Sequence, residues 1–86
     1  MKEKINNRIR KVLIETMLSE FDPEEIKDDT PLIELGVGVD SVATLELIVA
    51  LESEFKISID EENISPKLLE NIDNISEYIR KRLEIS

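Results

Sequence analysis

The sequence predicts an all-α fold, a small four-helix bundle of three longer helices and one short one, with a long loop between the first two. Three observations carry that expectation. Apolar residues recur at spacings of three and four in separate stretches, the mark of helices that each bury one face. Only Ile57-Ser58-Ile59 alternates with β-branched residues, and the chain offers no other strand for it to pair with. The 86 residues contain no cysteine, so packed Leu, Ile and Val must stabilise a single domain, residues 1–86, close to the smallest size that folds without staples.

In the first helix, from about Lys2 to Leu18, Ile5, Ile9, Val12, Leu13 and Met17 form the apolar stripe, with Lys4, Arg8, Arg10 and Lys11 on the other side. Pro23 cannot continue a helix, so this one ends near Glu20. Asp22-Pro23-Glu24-Glu25 reads as a capped single turn, with Pro23 in the first position and Glu25 three residues past the cap. Within the long connection, Thr30 is placed to cap and Pro31 to start a second turn that points Leu32 and Leu35 inward. Gly36 is placed to end it with a positive φ. Regular placement of Leu32, Ile33 and Leu35 predicts a pinned connection.

The second helix starts at Asp40 or Ser41 and reaches about Phe55. It has no clean polar face. Leu47, Ala50, Leu51 and Phe55 cluster on one side. Val42, Leu45 and Val49 cluster on another, beside Glu46 and Ser53, while Ile48 and Glu52 fall between the two. Either the helix is buried on most sides, or one stripe serves the core and the other a partner. Glu46, Glu52 and Glu54 would be costly in a fully buried helix, which favours the partner reading. Lys56 to Asp60 is expected to be an extended connector with both isoleucines in the core, and Asp60 to Ile64 the short helix, stopped before Pro66. Leu68 and Leu69 add to the core. The last helix runs from about Asn71 to Leu83 on Ile72, Ile75, Tyr78, Ile79 and Leu83, with Arg80, Lys81 and Arg82 suiting its C-terminal dipole.

Twenty acids against eleven bases give a net charge of −9, which disfavours nucleic acid and anionic membranes as partners. No apolar run approaches the roughly 20 residues of a membrane span. The start, Met1-Lys2-Glu3-Lys4, lacks the apolar segment of a signal peptide, so a cytoplasmic protein is expected. Catalytic classes fall away quickly. Without histidine or cysteine there is no Ser-His-Asp triad and no thiolate or imidazole metal set. Gly36-Val37-Gly38 lacks the lysine and third glycine of a phosphate loop, and Asp60-Glu61-Glu62-Asn63 lacks the pattern of a calcium loop.

Asp40-Ser41 remains. Either residue could simply cap the second helix, yet Ala43 and Thr44 stand where a capping box needs Glu or Gln. A phosphate ester on Ser41 would lie at the positive end of a helix, among free backbone N–H groups, and Gly36 and Gly38 would leave room for an attaching enzyme.

Asp29-Thr30-Pro31-Leu32, Glu34-Leu35-Gly36, Asp40-Ser41-Val42 and Leu45-Glu46-Leu47, taken in that order, resemble the acyl carrier protein family. So do Ala50-Leu51-Glu52 with Glu54-Phe55, the Ile57-Ser58-Ile59 connector, and Ile75 with Tyr78-Ile79. The resemblance implies a carrier rather than an enzyme. It makes Ser41 the attachment point of 4′-phosphopantetheine, added by a phosphopantetheinyl transferase, with Asp40 as the neighbouring motif acid. Acyl groups would ride on the arm as thioesters, for fatty-acid, lipid or polyketide-type biosynthesis. It also makes the second helix the surface that partner enzymes read, here Val42, Leu45, Glu46, Val49 and Glu52.

The chain departs from the family pattern in three places. Val37-Gly38-Val39 lengthens the approach to Asp40 by two residues, Val42 replaces the common leucine, and the segment from Asn63 to Asn71 is long, which together point to a specialised stand-alone carrier. From Asp40 to Glu62 seven acids (Asp40, Glu46, Glu52, Glu54, Asp60, Glu61, Glu62) face one base, Lys56, so acyl-loading and acyl-processing partners with basic docking patches are expected for this monomer. The alternatives are a peptidyl or aminoacyl carrier, or an unmodified helical adaptor.

Overall fold

A computed structural model describes residues 2–85, with the side chains of 3–84. Three α-helices, α1 (Lys2–Thr16), α2 (Ser41–Phe55) and α3 (Ile72–Ile85), are joined by irregular segments with 3₁₀ turns at Pro23–Glu25, Leu32–Leu35 and Glu61–Asn63. The expected short fourth helix is the last of these turns. Between Asp60 and Pro66 the chain has room for little more than one turn, too little to offset helix nucleation. No strand occurs among the described residues, and no described helix is long and apolar enough to cross a membrane.

α1 is the common partner of α2 and α3, which touch each other little. It buries Ile9, Val12 and Leu13 as its spacing requires, and Ile5 and Met17 pack at the edge. It also buries Asn6, whose amide donates to Asp73 Oδ1 of α3 at 3.0 Å. The helix stops at Thr16, earlier than expected. The N–H of Leu18 reaches back to the Leu13 carbonyl at 2.9 Å, a wider bond than a helix makes, and this draws Leu18 into the core.

Arg8 and Arg10 do not stay on a solvated face. Arg10 Nε donates to the Ile26 carbonyl at 2.6 Å, and its other nitrogens meet Asn7 and Asp28, fastening the long connection to α1. The same connection is tied to the start of α3: Leu32 N–H donates to the Glu70 carbonyl and Asp73 N–H to the Asp28 carbonyl. Glu25 reaches back to the Asp22 N–H at 2.8 Å as expected. Thr30, however, caps nothing ahead of it: its hydroxyl accepts the Lys27 N–H behind, at 2.9 Å.

α2 buries Leu47, Ile48, Leu51 and Phe55 and ends at Lys56, which is left-handed at φ 56 although it is not glycine. Of the connector isoleucines Ile59 is buried and Ile57 only half so. Asn71 caps α3 by accepting the Asn74 N–H at 2.8 Å, and α3 turns Ile72, Ile75 and Ile79 into the core while Leu83 emerges on the surface.

Candidate functional site

The site is assembled at the N-terminus of α2. Gly36 and Gly38 have φ of 97 and 89, and a Cβ added to either would meet nothing within 4 Å. What the glycines supply is left-handed backbone in open surroundings, the positive φ that was expected of Gly36. Between them Val37 is buried and its N–H donates to the Leu32 carbonyl at 3.1 Å. The longer approach is thus pinned by its own middle residue.

Asp40, not Ser41, is the N-cap. Its Oδ1 accepts the Val42 N–H at 2.8 Å and the Ala43 N–H at 3.3 Å. Two consequences follow. Ser41 stands exposed as the first residue of α2, with its hydroxyl not used by the cap. And two of the backbone N–H groups that were expected to welcome a phosphate, those of Val42 and Ala43, are already taken by a carboxylate. An ester on Ser41 would be held by its covalent bond and solvated outward.

Beside Ser41 opens a cleft of about 700 Å³ between α2 and residues 61–70. Val37, Leu45, Ile64 and Leu69 make its wall apolar, and Ser41 and Thr44 stand at its α2 edge. Pro31 and Ile33 of the approach also line it. The cleft was not read from the sequence, since its walls come from segments distant in the chain. Gly38 in the approach and the apolar Ile64 and Leu69 around Pro66 are the residues that could have pointed to it.

Beyond the cleft, α2 carries an exposed apolar stripe. Val42 is 64% exposed, Leu45 56% and Val49 61%, and Glu46 is exposed beside them. Ile33 and Val39 of the approach are exposed as well. Glu52 differs: it is half-buried, and its Oε2 accepts the Ile59 N–H at 2.7 Å, holding the connector that follows α2. Ser41 and Leu45 are thus brought together at the cleft, whereas Glu52 is engaged within the chain.

A family model described as a phosphopantetheine attachment site matches residues 8–79. The chain is 33% identical over 78 residues to an acyl carrier protein of Buchnera aphidicola subsp. Acyrthosiphon pisum (strain Tuc7), covering 91% of both chains. It is 30% identical over 78 residues to that of Desulforapulum autotrophicum, covering 91% of this chain and 96% of the relative. A third similarity, 26% over 78 residues, is to the acyl carrier protein of Bdellovibrio bacteriovorus. With a match across most of its length, this chain belongs to the acyl carrier protein family, whose members carry covalent 4′-phosphopantetheine and are carriers, not enzymes.

Proposed function

We propose that Ser41 bears the phosphopantetheine arm and that the protein, a monomeric cytoplasmic carrier, presents acyl intermediates to the enzymes of a fatty-acid, lipid or polyketide-type pathway. One observation supports this above the others: an exposed serine, spared from capping by its neighbour Asp40, stands at the edge of an apolar cleft. The arm, when bound, supplies a terminal thiol on which acyl groups are held as thioesters. In the transfer reaction Ser41 Oγ forms the new O–P bond, its proton passes to the transferase, and the nucleotide bisphosphate of coenzyme A leaves. Asp40 fixes the first turn of α2 and so the direction of Ser41. Val37, Leu45, Ile64 and Leu69 offer an apolar chain shelter from water.

Val42, Leu45, Glu46 and Val49 form the surface for partner enzymes, with Glu52 at its far edge, where one carboxylate oxygen is left beyond the Ile59 bond. Partners that meet it with Lys and Arg would dock quickly and weakly, as suits a carrier that visits several enzymes.

The test is loading with coenzyme A and a broad-specificity phosphopantetheinyl transferase, followed by mass spectrometry. The wild type should gain one adduct and Ser41→Ala none, with both melting at the same temperature. An adduct that persists in Ser41→Ala, or maps to Ser19, Ser53 or Ser58, rejects the assignment. The mass carried by protein from the native host separates an acyl from an aminoacyl cargo.

A further inference from the structure

The charge lining the cleft is one-sided. Among the described side chains no Lys or Arg lines it, whereas Glu61 and Glu70 do. Glu70 is fixed there by its own backbone, since its carbonyl accepts the Leu32 N–H at 2.9 Å. Glu61 opens a 3₁₀ turn flanked by Asp60 and Glu62.

Hydroxyls offer little compensation. Three side chains lining the cleft carry an O–H: Ser41, Thr44 and Ser65. The Thr44 proton is already donated to the Asp40 carbonyl at 2.8 Å, and Ser41 is the attachment point. Ser65 accepts the Leu68 N–H at 3.2 Å and keeps one proton to offer. A single neutral donor does not solvate a carboxylate, and an ion taken from water without a partner pays a large desolvation cost, here increased by repulsion from two like charges.

We propose, resting on the carrier reading above, that the cleft admits an uncharged acyl chain and turns away one that ends in a carboxylate, with Glu61 and Glu70 setting that choice. A carboxylate-ended cargo then stays in solvent while an apolar one is sheltered. The same carrier would expose one class of thioester to any passing enzyme and hold the other in reserve.

The experiment loads the full chain with octanoyl- and suberyl-phosphopantetheine from the corresponding coenzyme A thioesters. The two chains have equal carbon number and differ at the end group. Thermal melts and backbone amide spectra read the result. The octanoyl form should melt roughly 5 °C above the unacylated form and shift the Leu45 and Leu69 amides. The suberyl form should melt within about 1 °C of the unacylated one and leave those amides in place. In the double variant Glu61→Lys with Glu70→Lys, both at exposed positions, the suberyl chain should gain the shift it lacked. A suberyl chain that enters the wild type as well as octanoyl overturns the proposal. Failure of the double variant to admit it overturns the assignment to the two glutamates. If both adducts form and neither enters, the cleft is no cargo seat while the carrier reading stands. If Ser41 takes no adduct, the carrier reading itself fails and this inference with it.

Discussion

At its N-terminus α2 is held by one neighbour, Asp40, whereas at its C-terminus a side chain of α1 closes on it and one of its own reaches out to the connector. Arg8 of α1 donates through Nε to Glu54 Oε2 at 2.9 Å and through Nη2 to the Glu54 carbonyl at 2.8 Å, and its guanidinium lies 4.3 Å from the Phe55 ring centroid. Glu52 then ties down the connector through Ile59. The first end needs only a local cap and leaves its surface clear. The second is committed to the core. The difference shows how a chain this small divides its work: one helix end anchors the fold so that the other can stand open for chemistry.

The harshest way to break this contrast is at the anchored end. Leu51→Ala or Phe55→Ala should cost about 2–5 kcal/mol, from lost contacts and the cavity left behind. Small domains are commonly stable by as little as about 5 kcal/mol, so denaturant melts should find those variants close to unfolded. Arg8→Ala should cost about 1 kcal/mol, from the Glu54 carbonyl bond and the ring contact. The carboxylate pair adds little, because both partners are partly exposed to solvent. A loss as large as that of Leu51→Ala would mean that Arg8 organises the core as well as fastening its edge.

Lys56→Gly sharpens the contrast from the other side. It relieves a left-handed lysine but frees the unfolded chain, for a net gain of about 0.5 kcal/mol in chemical denaturation. At the open end, Val42→Ser and Val49→Ser should leave the melting curve nearly in place, because both side chains are already in water, yet slow loading by the transferase. Should they melt as early as the core variants, the exposed stripe is part of the fold and the two ends are not different in kind.

The three α-helices were legible because their apolar residues repeat over several turns, and both bounds of α2 fell where Asp40 and Lys56 place them. The place of Asp40-Ser41 at the start of α2 was legible from its neighbours in the chain. What escaped notice depends on contacts distant in sequence. Asn6 looks like surface until Asp73 of α3 arrives beside it, and the reach of Arg10 to Ile26 and Asp28 lies in a flexible side chain that has no periodicity. Val37 looks like spacer until it is buried. Glu52 shows its solvated character in the sequence but not the Ile59 N–H it accepts. For Asp60 to Ile64 the residue types suit α-helix and 3₁₀ turn alike, and only the length available decides.

The cap made by Asp40 has a consequence for motion. Because its carboxylate already occupies the Val42 and Ala43 N–H groups, a phosphate ester on Ser41 would find those two helix-end donors taken and a negative neighbour that repels it. The root of such an arm would therefore lean outward, away from Asp40 and from the two glutamates that line the cleft. Only the far end could draw the arm inward. A ligand shifts an equilibrium only by its differential affinity for the two states, so an apolar cargo would have to outweigh the outward preference of its own root.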